Sequence, residues 1–158
     1  MIKTITGDLT EATEKYIVHQ CNCVSHFAAG IAQTIFTAFP YANVYANRME
    51  EDVPGDILIC GNGKDQRYIV NLMGQYYPGG PSETTNDDEF ARRNYFYKGL
   101  LKLAKVPNLE SVAFNYRIGC GIAGGNWEWY KGTIENLARF VLEDQGATTV
   151  IYQREGDV

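Results

Sequence analysis

The segment Ile118-Gly119-Cys120-Gly121-Ile122-Ala123-Gly124-Gly125-Asn126-Trp127 decides how this chain is read. It joins an apolar run over residues 111–116, which reads as a strand, to a periodic run over 127–144, which reads as a helix. Its four glycines within seven positions free the backbone to curl and bring bare N–H groups close to a ligand. The helix start just downstream adds unpaired donors and the positive end of a dipole. Strand, glycine loop and helix together suit an anion, most simply a phosphate or diphosphate. The spacing fits neither the G-x-G-x-x-G dinucleotide fingerprint nor the G-x-x-x-x-G-K-[ST] loop. Alone, such a loop is equally well a tight connection.

A second loop of the same kind strengthens the ligand reading. Tyr16-Ile17-Val18 reads as a buried strand, and His19-Gln20-Cys21-Asn22-Cys23-Val24-Ser25-His26-Phe27-Ala28-Ala29-Gly30-Ile31-Ala32 follows it. Ile31, Ile35, Phe36 and Phe39 then recur at helical spacing until Pro40. The small residues Ala28, Ala29, Gly30 and Ala32 let the helix start approach a bulky ligand. In open α/β sheets ligands lie beyond the carboxyl ends of the strands, so two such loops converge on one cleft.

In this order and spacing the motifs resemble the macrodomains, a family that binds ADP-ribose. Gly7-Asp8-Leu9 is similar to the family's opening G-D-[IL] element, and residues 17–22 to its strand ending in Asn. Ala29-Gly30-Ile31-Ala32 resembles its G-G-[IV]-A helix entry, and residues 118–127 its phosphate loop. His19-x-Cys21-Asn22-Cys23 and the glycine loop over residues 118–127 look most like a microbial and phage branch. That branch is related to ADP-ribose 1″-phosphate phosphatases and, more distantly, to ADP-ribosyl-glutamate hydrolases.

The resemblance implies a set of contacts. Asp8, with Leu9 beside it, accepts from the adenine amino group, as an acceptor-only carboxylate can. Asn22 faces the distal ribose, and Ala29, Gly30 and Ile31 form the helix entry. Ile118, Gly119, Cys120, Gly121, Ile122, Ala123 and Gly124 surround the phosphates. Tyr76 or Tyr77 reads as a cover for ribose or adenine, or else both are partly buried rings in a solvated connection. Candidate acid–base groups are His26, Asp87 and Asp88, whereas His19 reads as a buried, hydrogen-bonded histidine. The competing reading of Asp87 and Asp88 is the first turn of a helix capped by Thr85 or Asn86. Asp8 and Asn22 have plainer alternatives as a turn residue and a strand-end cap.

Two departures from the hydrolase pattern weigh against covalent chemistry. Ala123 stands where those hydrolases carry an Asp, and Gln75 or Tyr76 where they carry a Lys. Neither replacement supplies a nucleophile or a Schiff base. Asn126 stands where many members of the microbial branch carry Asp. Two function classes stay open: a hydrolase of an ADP-ribose derivative, foremost the 1″-phosphate, and a non-catalytic reader or sequestering module. A de-ADP-ribosylating hydrolase and a dinucleotide oxidoreductase are weaker alternatives.

The expected architecture is a three-layer α/β/α domain over residues 1–158, with a mixed central sheet of about six strands. Strands are predicted near 2–6, 16–21, 56–60, 67–73, 111–116 and 148–153, and helices near 29–39, 41–50, 87–105 and 127–144. Residues 61–65 read as a hairpin turn, and residues 153–158 as a polar, frayed tail. A net charge of −5 argues against an electrostatic grip on nucleic acid or anionic membranes. No run approaches the roughly 18 apolar residues of a membrane helix, and Met1-Ile2-Lys3-Thr4 does not open a signal peptide. A cytoplasmic monomer without cofactor or metal is expected. The four cysteines, Cys21, Cys23, Cys60 and Cys120, do not form a disulfide framework. Cys21-x-Cys23 lacks zinc-site spacing, and Cys120 reads as a small loop filler in preference to a nucleophile.

Overall fold

The computed structural model describes residues 2–157, so Met1 and Val158 of the predicted domain lie outside the described residues. Six strands form one sheet: β1 (Ile2–Thr6), β2 (Tyr16–Asn22), β3 (Ile57–Cys60), β4 (Tyr68–Gln75), β5 (Ser111–Asn115) and β6 (Thr148–Gln153). Their order is β1-β6-β5-β2-β4-β3, parallel throughout except that β3 runs antiparallel to β4. The helices are α1 (Gly30–Ala38), α2 (Glu89–Ala104) and α3 (Trp127–Leu137).

The two central strands show why the sheet is sandwiched. Every residue of β2 is buried, as parallel strands covered on both faces require. Val18, Leu72, Phe114 and Ile151 face α2 and α3, where Phe96, Leu100, Tyr130 and Ile134 close the larger apolar layer. Ile17, Ile69, Met73 and Ala113 face the other way, against Ile35 and Phe36 of α1. Truncating a fully buried aromatic such as Phe96 costs about 3–5 kcal/mol. His19 and Asn71 are polar exceptions in this interior, and they satisfy one another through a 2.6 Å Nε2–Oδ1 bond.

The predicted strands and three of the predicted helices are present, and the 61–65 turn links β3 to β4. The helix expected over 41–50 is absent. A single short turn, Pro40–Ala42, is followed by irregular chain. Asn43 Oδ1 accepts from the Tyr45 and Ala46 N–H groups, the local competition that disfavours asparagine in helices. Tyr45 and Arg48 then turn inward to brace β2. A 3₁₀ turn at Leu9–Glu11 went unpredicted. The cap of α2 is Asp88, which accepts from the Ala91 N–H at 2.7 Å, and neither Thr85 nor Asn86 serves.

Candidate functional site

A cleft of about 720 Å³ lies beyond the carboxyl ends of the parallel strands. Asp8, Leu9, Asn22, Ala29, Gly30 and Ile31 line it, as do Gly119, Gly121, Ile122 and Ala123. The β2–α1 and β5–α3 loops therefore converge there. They also touch: a Cβ on Gly30, whose φ is +60°, would come within 3.1 Å of Ile122 Cδ1.

The glycines of the β5–α3 loop divide into two kinds. Gly119 has φ +76°, and a side chain there would run into the ring of Tyr130 at 2.7 Å. It shapes the loop, since L-residues avoid that backbone region. Gly121 lines the cleft, and an added Cβ would meet nothing within 4 Å. Its bare backbone borders ligand space. Ile118 and Cys120 are buried beneath the loop, and Gly124 does not reach the cleft wall. Burial pushes the Cys120 thiol up to about 12, and its Sγ donates to the Ile118 carbonyl, so it is a filler and a poor nucleophile.

Both plainer roles of Asp8 and Asn22 coexist with cleft positions. Asp8 Oδ1 accepts from the Thr10 N–H at 2.9 Å and from the Thr10 hydroxyl, capping the 3₁₀ turn. Asn22 Oδ1 accepts from the Val24 and Ser25 N–H groups at 3.1 and 2.8 Å. Arg48 fastens the same loop, donating to the Asn22 and Ser25 carbonyls at 2.9 Å each.

The proposed acid–base groups are not gathered at the cleft. Asp87 is wholly buried, and its carboxylate accepts from the Tyr76 and Tyr77 N–H groups and from Arg92. Asp88 is occupied as the α2 cap. Neither lines the cleft. His26 is exposed between Ser25 and Phe27, both of which do. Tyr76 is also off the cleft wall, with its ring 4.7 Å from that of Tyr77 and packed toward the α1-side core. Its N–H donates to Asp87 Oδ1 at 2.8 Å, which ties its backbone to that buried carboxylate.

Several lining residues escaped the sequence reading. Gln20 and Gln75 meet at 2.8 Å on the cleft floor, and Gln75 Nε2 donates onward to the Tyr77 carbonyl. Gln75 thus braces a loop where the hydrolases carry Lys. Gln20 Oε1 and Asn115 Oδ1 are buried acceptors with no partner among the described residues. Tyr152, Arg154 and Asp157 line the other end. There the supposedly frayed tail folds into a turn, with the Arg154 N–H on Asp157 Oδ2 and the Gln153 amide on the Asp157 carbonyl. Strand-end position was the usable signal for Gln20 and Asn115; in the tail it was Gly156-Asp157, residue types that favour a turn, with Gly156 at φ +90°.

Burial raises the pKa of Cys21 and pushes Cys23 up to about 12, and no cluster of three metal-ligating side chains occurs among the described residues.

A Macro domain family model matches residues 18–131, and the chain belongs to the macrodomain family. A 17.5 kDa protein from the tk-vs intergenic region of Enterobacteria phage T4 is 27% identical over 148 residues, 87% of this chain and 90% of that one. The macrodomain of Mycobacterium tuberculosis DarG superposes with a TM-score of 0.72 at 25% identity, covering 96% of this chain and 97% of that one. A Trypanosoma brucei macrodomain, solved in complex with ADP-ribose, gives 0.72 at 15% identity, over 99% of this chain and 65% of that one. No helix among the described residues is long and apolar enough to cross a membrane.

Proposed function

We propose that this macrodomain binds ADP-ribose or a close derivative, as a monomer in the cytoplasm, and that binding is its principal activity. The carrying observation is the open backbone at Gly121, facing a cleft whose volume suits a nucleotide. Asp8 serves the adenine, the two glycine loops serve the diphosphate, and Asn22 serves the distal ribose. Backbone N–H groups supply the attraction that a chain of net charge −5 lacks overall. Titration calorimetry with ADP-ribose tests this: micromolar affinity, about −8 kcal/mol, is expected, with AMP and ADP weaker. Absence of heat would remove the reading.

A second reading, slow hydrolysis of ADP-ribose 1″-phosphate, draws its support from His26, an exposed imidazole flanked by two cleft-lining residues. Asp87 and Asp88 add nothing to it, since both Asp87 oxygens are committed to backbone N–H groups, Asp88 Oδ1 caps α2, and neither residue lines the cleft. Removal of ADP-ribose from glutamate is disfavoured, because Ala123 and the amide of Gln75 provide no nucleophile.

A further inference from the structure

The charged residues of the cleft are concentrated at the adenosine end. Asn115 pairs in register with Tyr152, and the Tyr116 N–H donates to the Tyr152 carbonyl at 2.9 Å. One step further along these parallel strands, Arg117 and Arg154 leave β5 and β6 abreast. On the next strand the Gly7 N–H donates to the Gln153 carbonyl at 2.9 Å, which brings Asp8 alongside. All three side chains line the cleft.

Arg117 has φ +61°, a left-handed conformation that Gly or Asn adopts cheaply and a long side chain does not. It is exposed and lines the cleft. Such an outlier beside a cleft points to a use for the side chain itself. Arg154 is held by the C-terminal turn through its backbone, while its guanidinium stays 69% exposed and only 3.9 Å from Asp157. A contact that long is a weak hold, leaving the group available to an anion.

We propose that Arg117 and Arg154 form a second anion subsite, for a phosphomonoester on the adenosine ribose, as in ADP-ribose carrying a 2′-phosphate. The proposal rests on the ADP-ribose reading, with Asp8 marking the adenine. Guanidinium forks suit phosphate oxygens and reach them from two neighbouring strand ends. The subsite is separate from the glycine loops, which hold the diphosphate through backbone groups.

Calorimetry with ADP-ribose and ADP-ribose 2′-phosphate tests it, with AMP, adenosine 2′,5′-bisphosphate and adenosine 3′,5′-bisphosphate as probes of position. The 2′-phosphate is expected to tighten binding roughly tenfold or more at low salt, with the advantage shrinking as salt screens the exposed arginines. Arg117→Gln and Arg154→Gln should each remove most of that advantage while leaving plain ADP-ribose nearly unchanged. A gain from the 3′,5′-bisphosphate instead would keep the subsite and move its phosphate to the neighbouring oxygen. Equal affinity for phosphorylated and plain ligands in the wild type overturns the proposal while ADP-ribose binding stands. So does an equal loss for both ligands in the arginine variants, which would assign the guanidinia to the diphosphate. If neither ligand binds, the ADP-ribose reading falls first and takes the subsite with it.

Discussion

Asp87 and Arg92 form a buried ion pair, 2.8 Å from Oδ2 to the guanidinium, that ties together the two loops on one side of the cleft. Arg92 also donates to the carbonyls of Tyr77, Gly79 and Gly80, and at 3.2 Å to that of Ala123 in the β5–α3 loop. Asp87 meanwhile holds the Tyr76 and Tyr77 N–H groups. A pair so placed is architectural: both Asp87 oxygens and both terminal nitrogens of Arg92 are engaged, and only Arg92 Nε is buried without a partner among the described residues.

Removing either partner strands a charge in the interior. Arg92→Ala is expected to destabilise the fold by about 3–5 kcal/mol. Asp87→Asn should cost less, since the amide oxygen can keep one backbone bond. Urea denaturation measures both, and a loss under about 1 kcal/mol for Arg92→Ala would contradict the clamp.

At Gly121 a side chain meets only ligand space. Gly121→Val is therefore expected to leave the thermal midpoint unchanged and to abolish ADP-ribose binding. Gly119→Val should instead lower the midpoint, because of the Tyr130 ring and the positive φ. Calorimetry alongside thermal scans separates the two, and retained binding in Gly121→Val would remove the phosphate-loop assignment.

The adenine assignment turns on Asp8. Asp8→Ala should weaken ADP-ribose by roughly 1–3 kcal/mol, through loss of a charge-assisted acceptor. Inosine analogues, lacking the amino donor, should bind the wild type poorly and lose much less on mutation. Equal losses would leave Asp8 with only its capping bonds to Thr10.

Burial holds the His19 imidazole down to about 4, against the raising effect of its bond to Asn71. The unfolded chain, with histidine near 6.5, takes up that proton first as pH falls. Stability is thus complete above about pH 6.5 and declines toward pH 4, by up to about 1.4 kcal/mol per unit. His19→Gln should flatten the slope between pH 7 and 5, read from urea midpoints. An unchanged slope would mean that the imidazole is not held neutral.

Turnover is a separate matter from affinity. Any phosphate released from ADP-ribose 1″-phosphate should fall roughly 10²–10⁴-fold in His26→Ala with binding intact. Asp88→Asn should leave the rate alone, since it caps α2. A loss confined to Asp88→Asn would reverse that assignment.

The framework was legible because the strands are long apolar runs and the two glycine loops sit at their ends, where parallel sheets place ligands. What escaped depended on contacts distant in sequence. Asp87 looked like a first-turn acid; only its approach to residues 76–77 and Arg92 made it a clamp. Residues 41–50 had helical composition, yet Asn43 diverted the backbone and Arg48 found the carbonyls of Asn22, at the end of β2, and of Ser25 just beyond it. The tail looked frayed until Asp157 closed a turn upon Arg154. Gln75 was noticed only for what it replaces, and its amide contacts are fixed by Gln20, 55 residues away.

The meeting of Ile122 with Gly30 also bears on kinetics. A Cβ on Gly30 would lie 3.1 Å from Ile122 Cδ1, so the two loops come close across the groove, and a nucleotide seated between them would be flanked by both. Its release would then depend on movement of the Ile122 side chain as well as on the strength of its own contacts. Residence time and affinity are set by different parts of the molecule: shaving Ile122 to Ala should speed both arrival and departure while shifting the equilibrium far less.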